Sequence, residues 1–165
     1  MPHLIVEYSA NIEHAIALDG LLDKLHASAA HSGVFPLGGL RVRAVRIDRY
    51  RIADCHPDNG YVHVTALVGH GRPLDVRERA GAELFAALTA HLDGVFASRP
   101  LAISLNMQEL HPQLNFKKNN LHEHVRRRAR GRASERGDSG DSGDSGGHGD
   151  SGDPVGHERA RGASS

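Results

Sequence analysis

Tyr61-Val62-His63-Val64-Thr65-Ala66-Leu67-Val68-Gly69 is the clearest strand in the chain, with Tyr61, His63, Thr65 and Leu67 on one parity and Val62, Val64, Ala66 and Val68 on the other. The glycine-flanked loop Gly69-His70-Gly71-Arg72-Pro73 follows, and Pro73 is placed to open a helix. Val76, Ala80, Leu84, Ala87, Leu88 and Leu92 then recur at three- and four-residue spacing, which predicts an amphipathic helix to about Phe96. Pro100 introduces another strand, Leu101 to Leu110. Strand, crossover helix and strand make one β-α-β unit.

Upstream the same order recurs. His3 to Tyr8 is rich in strand formers, and Ser9-Ala10-Asn11 offers turn and capping chemistry. Apolar positions from Ile12 to about His31 keep helical spacing, although Asp19-Gly20 interrupts them and gives a second candidate start with Asp19 as cap. Gly33 is a helix stop, and Phe35-Pro36 with Gly38-Gly39 forms a connection no helix crosses. Leu40 to Ile52 alternates, but arginines stand on both parities, so a bulge or face change is expected near Arg46. The fold expected is α+β: two β-α-β units forming a four-stranded sheet with both helices on one face. The other face needs a partner, which predicts an oligomer.

Composition divides the chain into a domain over residues 1–125 and a tail over 126–165. The tail holds 10 of the 19 glycines, no aromatic residue, and Val155 as its one aliphatic larger than alanine. Such a segment cannot bury enough apolar surface to offset the entropy of ordering it, so it is expected to be disordered. Arginines crowd its start and Asp-Ser-Gly repeats follow. The aspartates screen the basic run and no aromatic residues interleave, so nucleic-acid binding is not expected. The single cysteine, Cys55, fits a reducing compartment and reads as an inert thiol. No apolar run approaches the roughly 20 residues that cross a bilayer, and no signal peptide is visible, so the expected location is the cytoplasm.

Little of the usual catalytic vocabulary is present: no phosphate loop, nucleophile elbow, dinucleotide fingerprint or paired cysteines. His122-x-His124 on a polar segment lacks the companions of a metal site, so none is expected. Two features remain. Pro2 directly follows Met1 and runs into a strand; alone it reads as a small second residue permitting methionine removal. With Met1 cleaved, its ring nitrogen becomes a secondary amine at a fixed place. Arg41 follows Gly38-Gly39, and Arg72 lies between Gly71 and Pro73 at a helix start, where partial positive charge favours anions. Guanidinium groups bind carboxylates bidentately, although each arginine taken singly reads as a solvated or salt-bridging surface residue.

Met1-Pro2-His3-Leu4-Ile5-Val6-Glu7, Gly33-Val34-Phe35-Pro36-Leu37-Gly38-Gly39-Leu40-Arg41, Gly69-His70-Gly71-Arg72 and Glu109-Leu110-His111-Pro112-Gln113-Leu114-Asn115-Phe116-Lys117-Lys118-Asn119-Asn120 together resemble the 5-carboxymethyl-2-hydroxymuconate delta-isomerase family. This is a branch of the tautomerase superfamily, alongside 4-oxalocrotonate tautomerase and macrophage migration inhibitory factor. The resemblance runs to about His124. It implies the tautomerase fold, a homotrimer, no cofactor, a small carboxylate substrate and a role in homoprotocatechuate (4-hydroxyphenylacetate) breakdown. By position it makes Pro2 the catalytic base, sets Arg41 and Arg72 around the substrate carboxylates, and makes Phe116 an apolar pocket wall.

Overall fold

The computed structural model describes residues 1–137. Its elements are β1 (His3–Ser9), α1 (Leu18–His31), β2 (Arg41–Ile47), β3 (Gly60–Val68), α2 (Leu74–Ser98), β4 (Leu101–Glu109) and α3 (Leu121–Gly137). The sheet order is β2-β1-β3-β4. β1 runs parallel to β2, β3 parallel to β4, and the two units meet where β1 and β3 pair antiparallel. The two β-α-β units and the four-stranded sheet are as expected from the strand–helix order; the order of the strands and the antiparallel junction come from the structure.

The core sits on one side of that central pairing. Leu4, Val6 and Tyr8 of β1 face the same way as Val62, Val64 and Ala66 of β3, and all six are buried. Against them pack Leu21, Leu25 and Ala29 of α1 and Ala80, Leu84, Leu88 and Leu92 of α2, each a four-residue stripe. Removing one such leucine side chain from water is worth about 1.5–3 kcal/mol. His91 ties the helix layer to the first unit, its Nε2 lying 2.9 Å from the Ile16 carbonyl oxygen.

Among the described residues the opposite face carries no helix. Its rows read Arg41–His3–Leu67–Gln108, then Arg43–Ile5–Thr65–Asn106, then Val45–Glu7–His63–Ser104. Polar side chains bond across it, with Arg43 Nη1 3.1 Å from His3 Nδ1 and His63 Nδ1 2.8 Å from Ser104 Oγ. Burial together with Arg43, Arg41 and the chain terminus holds the His3 imidazole below its usual pKa.

Three expectations need correction. Helix α1 begins at Leu18, after Ala17 takes a left-handed conformation at φ 43°; Asp19 lies inside the first turn and is not the cap. Strand β2 stops at Ile47 and has no bulge at Arg46. Its one neighbour among the described residues, β1, ends at Ser9, so no ladder remains there to hold residues 48–52 in the sheet. Arg46 instead pairs outward with Glu13 and, at 2.9 Å, with Asp48.

The third correction concerns the tail: residues 126–137, expected to be disordered, belong to helix α3. Arginine and alanine are strong helix formers, so local propensity extends a helix that needs no burial along its length. Its start is anchored, because Asn119 Oδ1 accepts the Leu121 N–H at 2.9 Å while Asn119 Nδ2 donates to the Gly38 carbonyl at 2.7 Å. The rest of the expected tail, 138–165, lies outside the described residues. Among the described residues no helix is long and apolar enough to cross a membrane.

Candidate active site

Pro2 stands at the start of β1, where its carbonyl accepts the Arg41 N–H at 3.3 Å. The residue is buried. Gly39 makes room for it, since a β-carbon there would lie 3.2 Å from Pro2 Cδ. Gly38 similarly admits the first turn of α3: a β-carbon would meet His122 Nδ1 at 2.6 Å and His122 Cα at 2.7 Å. The Gly38-Gly39 pair is thus where the chain terminus, the β2 entry and α3 converge.

A cleft of about 600 Å³ opens at this point. Pro2, Gly39, Arg72, Lys117, Asn119 and His122 line it, joined by His70 and His111 from either side of the β3–β4 end. No carboxylate is among its lining residues. Arg72 folds back so that Nη1 donates to the Gly69 carbonyl at 3.0 Å, and a β-carbon on Gly69 would sit 2.9 Å from that nitrogen, so a larger residue there would push the guanidinium aside. The cleft therefore combines cations, with Arg72 held in place, and hydrogen-bond donors in a wall suited to anions.

The terminal amine reports the local field. Burial, then Lys117, then Arg41 hold the Met1 amine below its usual value. Here Met1 acylates Pro2, so the proline nitrogen is an amide. Arg41 does not line the cleft; Nη1 donates to the Gly39 carbonyl at 3.0 Å and contacts Met1 Sδ at 3.1 Å. Phe116 does not line it either, and is 88% exposed. The structure thus brings Pro2 and Arg72 together, places Arg41 behind Met1, and leaves Phe116 outside the cleft of a single chain. Lys117, His70, His111, Asn119 and His122 are among the cleft residues that sequence reasoning did not assign to it. Lys117 belonged to the quoted resemblance, but nothing in its own neighbourhood points toward residue 2.

Among the described residues, no group of three or more His, Cys, Asp or Glu side chains could hold a metal ion. A second cleft of about 600 Å³ lies at the opposite end of the sheet, around Asp48, Arg51, Cys55 and His56. Cys55 is exposed there. This cleft shares no residue with the first and offers no fixed amine.

A family model described as 5-carboxymethyl-2-hydroxymuconate isomerase matches residues 2–125. The chain belongs to this family. A relative from Escherichia coli, 5-carboxymethyl-2-hydroxymuconate Delta-isomerase, is 44% identical over 122 residues, covering 74% of this chain and 97% of the relative. The crystal structure of a family member from Deinococcus radiodurans R1 superposes with a TM-score of 0.70 at 37% identity, covering 75% of this chain and 93% of that one. Beyond the family, a fused 4-OT symmetric trimer reaches a TM-score of 0.51 at 18% identity, covering 72% of this chain and 92% of that one; that likeness shows the shared tautomerase fold alone. The isomerase family match ends at residue 125, within α3.

Proposed function

We propose that this chain, once Met1 is removed, is a cofactor-independent isomerase that shifts a proton in 5-carboxymethyl-2-hydroxymuconate. The observation that carries this reading is a cleft built around Pro2 with Arg72 and Lys117 in its wall and no carboxylate. The substrate is a tricarboxylic dienol, and its isomerisation takes a proton from a hydroxyl group and places one on a distant carbon. A free α-amino group titrates at about 7.7–8.0, and a proline amine is intrinsically more basic. Burial and neighbouring cations lower it toward the working pH, where one nitrogen can both accept and donate a proton.

Arginine supplies the electrostatic part. Arg72 is positioned to bind a carboxylate, and removal of Met1 takes away the thioether against which Arg41 rests. By exchanging its hydrogen bond to the Gly39 carbonyl, Arg41 then turns toward the proline nitrogen and a second carboxylate. Cations that strengthen their hold as charge moves onto the dienolate oxygen lower the barrier itself. The helix-free sheet face supports an oligomer, which the family resemblance makes a homotrimer, and on this reading Phe116 serves as an apolar wall in the assembled protein. A cytoplasmic location and a place in homoprotocatechuate breakdown follow from the same assignment.

The test begins with intact mass, since retained Met1 leaves no amine. On Met1-free protein, ultraviolet assays should follow loss of the dienol, and Pro2→Ala should lower kcat by ~10²–10⁴-fold, the range for a lost general base. Unchanged turnover in Pro2→Ala would remove Pro2 from the mechanism. Arg72→Ala should slow the tricarboxylate more than a phenylpyruvate-like enol with one carboxylate. Equal losses on the two substrates count against carboxylate binding. Should neither enol react, the family fold in this chain serves as a binding protein.

A further inference from the structure

A tricarboxylic dienol brings three negative groups to the cleft, and Arg72 and Arg41 account for two. The covalent structure of the dienol fixes where the three lie. The hydroxyl-bearing carbon stands at one end of the conjugated diene, beside one carboxylate. The carbon at the far end receives the proton, and it carries both a second carboxylate and the carboxymethyl arm. An amine that delivers the proton there must work between two negative groups.

Lys117 is placed to meet one of them. It lies on the strap from β4 to α3, residues 110–120, which is tied down toward both ends. Near β4, His111 Nδ1 accepts the backbone N–H groups of Gln113 at 3.2 Å and Leu114 at 3.1 Å. Near α3, Asn119 Nδ2 donates to the Gly38 carbonyl at 2.7 Å, next to the glycine that makes room for Pro2 Cδ. Lys117 is two residues from that anchor and lines the cleft together with Met1, Pro2 and Arg72. Among the described residues no carboxylate pairs with it. After burial, Lys117 does most to lower the Met1 amine, ahead of Arg41, whose guanidinium touches the Met1 side chain. The chain terminus thus has Arg41 behind it and Lys117 on the cleft side. The two cations also differ in kind. A rigid guanidinium fork matches a carboxylate held in the plane of the diene, whereas an ammonium on a flexible stem can follow one that swings on a methylene.

Resting on the isomerase reading above, we propose that Lys117 binds the carboxymethyl carboxylate and selects the tricarboxylic dienol over dienols that lack this arm. Arg41 then takes the carboxylate at the same end of the diene, and Arg72 takes the one beside the hydroxyl. Pro2 remains the base and acid of the reaction, and Lys117 transfers no proton. Its part is to set the receiving carbon against the Pro2 nitrogen.

The test measures kcat/KM of the Met1-free protein on 5-carboxymethyl-2-hydroxymuconate and on 2-hydroxymuconate, which lacks only the arm, and reads their ratio. A change in the basicity of free Pro2 alters both substrates alike and cancels in that ratio. Wild type should favour the tricarboxylate. Lys117→Gln should lower the ratio by ~10–100-fold, chiefly through the KM of the tricarboxylate, and Lys117→Arg should recover part of it. Equal kcat/KM on the two dienols in wild type overturns the proposal. So does a ratio that Lys117→Gln leaves in place, or one that falls as far in Lys117→Arg. A wild type inert toward both dienols defeats the isomerase reading instead, and binding then decides for Lys117. Calorimetric titration should show tighter binding of tricarballylate than of glutarate, which lacks its central carboxylate, and Lys117→Gln should lose that preference. No preference in wild type, or one that survives in the variant, overturns the proposal.

Discussion

At the scale of single residues, the cleft depends on charges that approach the chain terminus from far away in sequence. Pro2, once freed, occupies the field that lowers the Met1 amine, so Lys117 and Arg41 should depress its pKa too. Removing a cation stabilises the ammonium form. Lys117→Gln should therefore move the Pro2-dependent limb of the kcat/KM profile to higher pH, and a limb that stays in place would show that Lys117 does not reach the amine. Pro2 was legible in the sequence because a proline after Met1 is chemically distinctive, and Arg72 because it stands beside a glycine at a helix start. Lys117 was not. Its place in the cleft arises from neighbours that only the folded sheet supplies, and a lysine in isolation reads as solvated charge.

At the scale of elements, periodicity located α2 and β3 well because burial and spacing agree there: Ala80, Leu84, Leu88 and Leu92 are all buried at four-residue intervals. Leu88→Ala should cost about 2–5 kcal/mol of stability, visible as a lowered denaturation midpoint without loss of the fold's secondary structure. Helix α3 escaped the reading because composition speaks to tertiary burial, whereas the anchor described for this helix is a local one at its start. Gly38 is that anchoring point. Gly38→Ala should force His122 and the first turn of α3 away from the cleft, raising KM while leaving the core's thermal midpoint close to wild type. An unchanged KM would show that α3 contributes nothing to substrate binding. Deleting 126–165 should spare activity, since the anchor and His122 both precede the cut.

At the scale of the whole molecule, the two β-α-β units with both helices on one face were readable because crossover connections admit few topologies. How copies assemble was not, since the helix-free face mixes Arg43, Ile5, Thr65 and Asn106 in one row and carries no continuous apolar signal. Light scattering should give a mass three times the 17.8 kDa chain. Ile5→Lys, which sets a second cation beside Arg43, should shift that mass toward the monomer; a monomeric wild type sinks the trimer. The antiparallel β1–β3 pairing has a consequence in time. Met1 is half-buried and pinned by Arg41, and Pro2 is locked to β2. A peptidase needs that end loose, yet β1 becomes trapped once its partners, through Leu67 of β3, have left the ribosome. Excision is then a race run on the nascent chain. Protein that folds with methionine still attached should resist methionine aminopeptidase until unfolded, so a rapidly overproducing cell would accumulate a dormant pool whose specific activity tracks the processed fraction measured by mass.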